Sequence, residues 1–206
     1  MNTATLFLLS LTVAGSPVEE WPEGYTELDG LLSSHSAQYK KMADYVRKRH
    51  SYRIASTNEF PLGNVKDQTG KRGLVIELNP KMPKERRATI LIWEMANAYQ
   101  REAFAEVTRR ARSGKIDNHR EYGIRMELVE HGSHQLHRDV LVELSRAGIP
   151  IAEDFLYFLN PKLKSLETYR IPTAHDYIEA QSKSGHTKHY EKWFYLIREK
   201  KPPADF

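Results

Sequence analysis

The stretch that decides the fold spans residues 88–105 and reads ATILIWEMANAYQREAFA. Most of it is apolar on every side of a helix, and a helix that is apolar all round is buried. Glu94, Asn97 and Arg101 are among the polar side chains set into the run. Their spacings of three and four residues place them on one stripe of the helix. A buried carboxylate is costly unless it is paired, hydrogen-bonded or bound to a metal, so Glu94 predicts a polar site inside the core.

The sequence predicts that this stretch lies in a long helix and that two more helices follow it. Pro83 is typical of a first helical turn, and we expect one long helix from there to the stop at Gly114. A second long helix is predicted over residues 120–147, where Gly148 closes it. A third helix is predicted over residues 152–159.

Short strands are predicted before these helices, over residues 52–56 (YRIAS) and 73–78 (GLVIEL). The Gly- and Asn-bearing residues 58–70 between them are predicted to be a loop. A helix over residues 31–50 comes earlier, after an acidic connector at residues 19–30. This order predicts an α+β fold in a single domain, with a small early sheet followed by long helices.

The two ends of the chain are treated separately. Residues 6–15 read LFLLSLTVAG, a run too short to span a bilayer. Residues 1–20 therefore form either a signal peptide or an N-terminal arm, and the lack of Lys and Arg before the run disfavours the first. A real leader implies a protein that is secreted or delivered to another cell, and otherwise a cytoplasmic one. We expect the main domain over residues 21–172 and a tail with one short helix over residues 173–206.

The amino-acid composition excludes several classes of protein and of functional site. Of 206 residues, 40% are hydrophobic and 28% charged, which is typical of a globular chain. The chain has no cysteine, so disulfides, a zinc ribbon and a cysteine nucleophile are excluded, and any metal would need His, Asp or Glu. The net charge of +4 is too small to predict a nucleic-acid partner. Nucleic-acid binding is a second alternative function that rests only on short basic runs at residues 40–41, 47–49 and 109–110.

The second long helix has two distinct faces. At about 100° per residue its apolar side chains fall within one narrow arc. The opposite arc holds five titratable side chains: Glu127, Glu130, His131, His134 and His137. Such a set can bind a divalent cation or act as acid and base. If Glu94 faces this arc, the two helices enclose a polar site.

Other interpretations of these side chains stay open. The face opposite an apolar arc usually points to solvent. Glu127 is also a candidate acceptor for Arg101 or Arg125. Glu94 and Asn97 are also compatible with a structural hydrogen-bond network inside the core.

Residues 79–100, NPKMPKERRATILIWEMANAYQ, resemble the active-site helix of zincin-type metallopeptidases. The resemblance is closest to the small metallopeptidase domains of bacterial effector and toxin proteins, and it covers residues 52–144. Family members carry HExxH, in which two histidines bind zinc and the glutamate activates water. The alignment places Trp93 and Asn97 at the histidine positions and Glu94 at the glutamate position. Many members place a third ligand on a later helix, which implies Glu127 or Glu130 here.

The departures from HExxH change the expected chemistry. Trp93 offers zinc no ligand atom and Asn97 is a poor ligand, so we expect no zinc in the usual zincin manner and no ordinary peptidase activity. No cofactor is expected, and a divalent metal stays open as an alternative. The resemblance implies a degenerate zincin-like domain, secreted or effector-type, that acts through a protein partner and spans no membrane.

The alternative is a hydrolase with a rebuilt site. In this hypothesis Glu94, Asn97 and Glu127 are catalytic. The binding residues would be Arg101, Glu130, His131, His134 and His137. For the partner-binding hypothesis, the contact surface would be the aromatic side chains of the tail, although they are also candidates to anchor the last helix onto the domain. These are Tyr190, Trp193, Phe194 and Tyr195.

Overall fold

Two helices come first in the computed structural model, which describes residues 22–59, 62–67, 73–149, 166 and 170–198. Helix α1 (Tyr25–His35) and helix α2 (Ala37–His50) meet at Ser36. The Ser36 hydroxyl accepts a hydrogen bond from the Tyr39 N–H at 2.9 Å and so caps α2. The single helix predicted for residues 31–50 is therefore wrong at its start, and so is the last part of the predicted connector, because α1 already begins at Tyr25.

The sheet has three strands, β1 (Tyr52–Ser56), β2 (Gly63–Asp67) and β3 (Leu74–Leu78). β3 is central and wholly buried, and it pairs parallel to β1 and antiparallel to β2. The prediction of the first and last strands is confirmed. The loop predicted for residues 58–70 is wrong over β2, whose sequence GNVKD has only one apolar residue because it is an edge strand.

Helix α3 (Lys84–Tyr99) contains residues 88–99 of the stretch that decides the fold. It begins directly after Pro83, and residues 87–96 are all buried, which confirms the prediction of a helix buried on every side. The predicted single helix is wrong in its length, because Gln100, with ψ near 3°, separates α3 from helix α4 (Arg101–Arg112). The stripe through Glu94 and Asn97 therefore ends before Arg101, which is the first residue of α4.

Helix α5 (His119–Arg146) agrees with the predicted second helix to within one residue at each end. The Asn118 side chain caps it by accepting hydrogen bonds from the N–H groups of Arg120 (2.8 Å) and Glu121 (3.3 Å). Helix α6 (Ala174–Ser184) and helix α7 (His186–Ile197) pack against it. One short helix is therefore the wrong prediction for the tail, which holds two helices on either side of Gly185.

The core has two parts that share α5. The larger part lies between the sheet and helices α1, α2, α3 and α5, and the smaller lies between α4, α5 and α7 around Tyr122 and Phe194. The described residues form one α+β unit of a three-stranded sheet and seven helices, which confirms the predicted fold class. Within these residues, each helix is too short or too polar to cross a membrane. The apolar run at residues 6–15 and the helix predicted for residues 152–159 lie outside them.

Candidate functional site

Glu94 and Asn97 form a buried pair on α3. The Glu94 side chain is in the core, with 8% of the residue exposed, and it is hydrogen-bonded to the side chain of Asn97 one turn later. Strand β2 covers the pair closely, because a Cβ atom at Gly63 would lie 3.3 Å from Glu94 Cγ. Among the described residues, the Asn97 Oδ1 atom is buried and accepts no hydrogen bond. The pair therefore presents a carboxyl group and one unused acceptor inside the protein.

The charge state of Glu94 depends on the opposite helix. Burial raises the pKa of Glu94 to about 8, the hydrogen bond from Asn97 lowers it, and the negative charge of Glu130 on α5 raises it further. Glu94 and Glu130 are therefore electrostatically coupled across the α3–α5 interface, as expected if Glu94 faces the polar arc of α5. A carboxyl group with this pKa exchanges its proton near neutral pH.

The polar arc of α5 is buried rather than solvated. Glu127, Glu130, His134 and His137 are each less than 9% exposed, while His131 is half-buried. The interpretation that this arc faces solvent is wrong for the first four side chains, because α3, α6 and α7 pack against α5.

Around Glu130 lies a group of side chains from three helices, which we call the Glu130 cluster. On α5, Glu127 Oε1 accepts hydrogen bonds from His186 Nδ1 at 2.9 Å and from Thr187 Oγ1 at 3.0 Å. Glu130 accepts a hydrogen bond from the hydroxyl of Tyr190 and lies 3.7 Å from His186 Nδ1 through its Oε2 atom. The members of the cluster are Glu127, Glu130, Tyr177, His186, Thr187 and Tyr190.

The pKa values of Glu130 and His186 in this cluster are both raised. Burial raises the pKa of Glu130 to about 7, although the charge of His186 and the hydrogen bond from Tyr190 both lower it. The hydrogen bond to Glu127 raises the pKa of His186, and burial opposes this effect. Glu127, Glu130 and His186 each offer one ligand atom, and these atoms all lie within 4.8 Å of one another. The cluster can therefore store protons or hold a cation.

His134 and His137 lie in a different environment from His186. Burial lowers the pKa of His134 to about 4 and that of His137 to about 3, so both are neutral at physiological pH. Their rings stand edge-on to Trp93, with centroid distances of 6.2 and 5.8 Å, and His137 Nε2 lies 3.2 Å from the Thr89 carbonyl oxygen. These contacts make them part of the α3–α5 packing, and their predicted binding role stays a prediction.

The remaining predicted residues are distributed along the edges of the site. His131 Nε2 lies 2.8 Å from the Pro172 carbonyl oxygen, which ties α5 to the start of α6. Arg101 is half-buried at the start of α4. Arg125 is not the donor for Glu127, because its Nε atom donates to Glu121 Oε1 at 2.7 Å.

The sequence pattern does not predict the contribution of α6 and α7 to the site. His186, Thr187 and Tyr177 have no predicted role, because residues 173–206 are predicted to be a tail with one short helix. Two signals were present: Thr173 caps α6 by accepting a hydrogen bond from the Asp176 N–H at 3.2 Å, and Gly185 separates the helices with a φ of 84°. Tyr190 and Phe194 anchor α7 in the core, whereas Trp193 is 43% exposed.

The zinc centre implied by the zincin resemblance does not fit these residues. Trp93 packs its ring beside two neutral histidines, and Asn97 is hydrogen-bonded to Glu94. The two positions that would supply imidazole nitrogen atoms therefore supply an indole and an amide, and we derive no step through a zinc ion at that place.

Several residues of the basic runs are paired with neighbouring acids. Lys40 pairs with Asp44 at 2.5 Å, and Arg49 pairs with Glu102 at 2.8 Å. Arg109 is paired in the same way with Glu106. Such exposed pairs leave little concentrated charge for a phosphate backbone.

Comparisons with protein-family models, with curated proteins and with solved structures found no match. The function is therefore argued from the two features that the geometry provides, the Glu94–Asn97 pair and the Glu130 cluster beside it.

Proposed function

We propose that the protein is a hydrolase with a rebuilt active site, in which Glu94 is the general acid and base. The observation that supports it most directly is the Glu94–Asn97 pair, a buried carboxyl group beside a buried amide oxygen that accepts no hydrogen bond among the described residues. Buried polar groups of proteins are normally satisfied, and an exception calls for an explanation, of which a catalytic role is one.

The roles of the two side chains follow from their chemistry. The Glu94 carboxylate would take a proton from water while the water oxygen bonds to the carbonyl carbon of an ester or amide. The resulting carboxylic acid would return that proton to the leaving group as the acyl bond breaks. Asn97 would orient Glu94 through its amide N–H and a bound water or substrate N–H through its free Oδ1 atom.

The position of Glu130 supports these roles of Glu94 and Asn97. Its charge helps to keep the pKa of Glu94 near 8, so that both protonation states of Glu94 are available near neutral pH. A purely structural carboxyl group would gain more from a cationic partner than from a second carboxylate.

The test compares the full-length protein with Glu94→Gln on an ester, a peptide and a phosphodiester: p-nitrophenyl acetate, labelled casein and bis(p-nitrophenyl) phosphate. We expect one of the acyl substrates to be hydrolysed and Glu94→Gln to reduce the rate by about 100-fold or more. The matched control is Glu143→Gln on α5, since Glu143 serves the fold by accepting hydrogen bonds from Ser36 Oγ (2.6 Å) and the Gln38 N–H (2.9 Å). A Glu94→Gln protein with the wild-type rate would refute the proposal.

A second candidate function is binding of a protein partner through α7. Its supporting observation is that Trp193 and Leu196, three residues apart on this helix, are 43% and 71% exposed. Large apolar side chains exposed together are typical of an interaction surface. A photo-crosslinker at His189, beside Trp193, would trap such a partner in the wild type and fail in Trp193→Ser/Leu196→Ser, while hydrolysis would be unchanged.

A further inference from the structure

Three side chains of the Glu130 cluster have the donor types and the spacing of a cation site. Glu127 and Glu130 are three residues apart on α5, and His186 is the first residue of α7. A tetrahedral ion with ligands at about 2.1 Å requires donor atoms about 3.4 Å apart. His186 Nδ1 lies 3.7 Å from Glu130 Oε2, close to that value, and 2.9 Å from Glu127 Oε1, to which it donates a hydrogen bond; an ion would displace the Nδ1 proton and replace this hydrogen bond.

An unsatisfied oxygen atom gives an independent indication of a ligand. Glu127 is 0% exposed, and both of its hydrogen bonds go to Oε1. The other oxygen, Oε2, is buried and accepts no hydrogen bond in the described part of the chain. A buried carboxylate oxygen without a partner is costly, and a cation is the ligand that most directly compensates it.

The carboxylate side chains are held in place by hydroxyl groups on the neighbouring helices. Thr187 donates to Glu127, and Tyr190 donates to Glu130. Tyr177 is also hydrogen-bonded to Glu130, and its own oxygen accepts from Gln181 Nε2 at 3.0 Å. Such supporting hydrogen bonds orient ligands before an ion arrives.

Among the described residues of the site, His186 is the ligand that meets solvent. The His186 side chain is 39% exposed, whereas the two carboxylates lie beneath it. An ion would therefore reach buried oxygen atoms past a half-exposed imidazole, and three protein ligands would leave at least one position for water.

We propose that Glu127, Glu130 and His186 bind one divalent transition-metal cation. Two carboxylates with one imidazole suit Zn²⁺ and Mn²⁺ better than Mg²⁺ or Ca²⁺, which prefer oxygen ligands alone. The proposal goes beyond the hydrolase and does not depend on it, because the site stands on α5 and α7 whether or not Glu94 on α3 is catalytic.

The experiment titrates the full-length protein, first stripped with EDTA, with ZnCl₂ and MnCl₂ in a calorimeter. We expect saturable binding of about one equivalent, and a loss of affinity of at least about tenfold in Glu127→Gln and in His186→Gln. The matched control is His189→Gln, which removes an imidazole from the next turn of α7 and should bind as the wild type does. Glu94→Gln should also bind, so that failure of the hydrolase and failure of the cation site remain distinguishable.

Two outcomes would overturn the proposal. One is the absence of saturable binding by the folded wild type for both ions. The other is equal binding by the wild type and by folded Glu127→Gln and His186→Gln, which would place the ion elsewhere. Circular dichroism establishes that each variant is folded, and the visible absorption of bound Co²⁺ gives a second readout of the ligand set that does not depend on stability.

Discussion

The Asp29 cluster and the Glu130 cluster contain similar chemical groups but differ in how completely they are satisfied. The Asp29 cluster consists of Asp29, Tyr39, Arg47 and Tyr52, where α1, α2 and β1 meet. Asp29 Oδ1 accepts from Tyr39 at 2.7 Å and from Tyr52 at 3.0 Å, while Oδ2 accepts from Tyr52 at 2.9 Å and lies 3.6 Å from an Arg47 nitrogen. Both oxygens of its single carboxylate therefore have partners, one of them permanently cationic.

The Glu130 cluster also combines carboxylates with two tyrosines and a basic group. It differs in placing a second carboxylate beside the first, in using a histidine as its basic group, and in leaving Glu127 Oε2 without a hydrogen bond among the described residues. The difference teaches that the fold can satisfy a partly buried acid with hydroxyl groups and a cation, and that it does so at Asp29. In the cation proposal, the ion rather than a protein donor compensates the unsatisfied Oε2 atom of Glu127.

The largest effect that we expect concerns Glu94, the carboxyl group coupled to the Glu130 cluster. Its pKa is about 8 in the folded protein and 4.5 as a free side chain, with Asn97 on α3 and Glu130 on α5 as the groups that face it. Between these values the unfolded chain has lost the proton and the folded protein retains it, so the free energy of unfolding falls as the pH rises from about 4.5 to 8. Below 4.5 both states are protonated and the loss disappears.

Glu94→Gln removes this dependence. With EDTA present, the free energy of unfolding of the variant minus that of the wild type should increase by about 3 kcal/mol between pH 5 and pH 8, since the full shift sets a ceiling of about 5 kcal/mol. Urea unfolding at several pH values measures the difference. A difference that stays constant across this range would show that Glu94 is not a neutral buried acid.

Matched amide substitutions test the comparison between the clusters directly. Asp29→Asn keeps one acceptor oxygen and removes the one that serves Tyr52 and Arg47, so the free energy of unfolding should fall by about 2 kcal/mol. Glu127→Gln keeps the oxygen atom that accepts from His186 and Thr187 and replaces the unsatisfied Oε2 atom with an uncharged amide nitrogen. The free energy of unfolding should therefore change by no more than about 1 kcal/mol. Urea midpoints at neutral pH, in EDTA, provide both numbers. An equal loss in the two variants would make the Glu130 cluster a structural network like the other one.

Periodicity in the sequence predicts the elements that this comparison depends on, but not their contacts. Apolar spacing and caps such as Asn118 predict the buried α3, the length of α5, and the strands β1 and β3 of the sheet. β2 has one apolar residue, and the break at Gln100 occurs in a residue that favours helices, so neither carries a local signal. Both depend on tertiary packing.

The sequence likewise predicts only part of the candidate site, because local spacing does not show tertiary contacts. Glu94, Asn97, Glu127 and Glu130 stand out because charged or amide groups interrupt apolar helices. His186 does not stand out, because it lies 56 residues after Glu130 in a polar segment, and only the packing of α7 on α5 brings it within 3.7 Å of that carboxylate. Contacts between distant segments are not encoded in the spacing of either one.

The smallest effect sharpens the comparison by adding one methyl group to each region. Gly30 lies on α1 next to Asp29, and a Cβ atom there would meet no other atom within 4 Å. Gly123 lies on α5, and a Cβ atom there would lie 3.0 Å from both Thr187 Cγ2 and Glu191 Cγ on α7. Gly30→Ala should raise the free energy of unfolding by about 0.5 to 1 kcal/mol, because alanine favours the helix.

Gly123→Ala gains the same helix propensity but must push α7 away, so we expect a net loss of about 1 kcal/mol. Because Thr187 and His186 begin that helix, the same displacement should weaken Zn²⁺ binding by about tenfold, while Gly30→Ala leaves it unchanged. Urea unfolding and calorimetric titration measure the two effects on the same samples. The opposing result is that Gly123→Ala lowers the stability and still binds Zn²⁺ as tightly as Gly30→Ala does. That result would show that the position of α7 affects the core but not the ion, and it would contradict the assignment of His186 as a ligand.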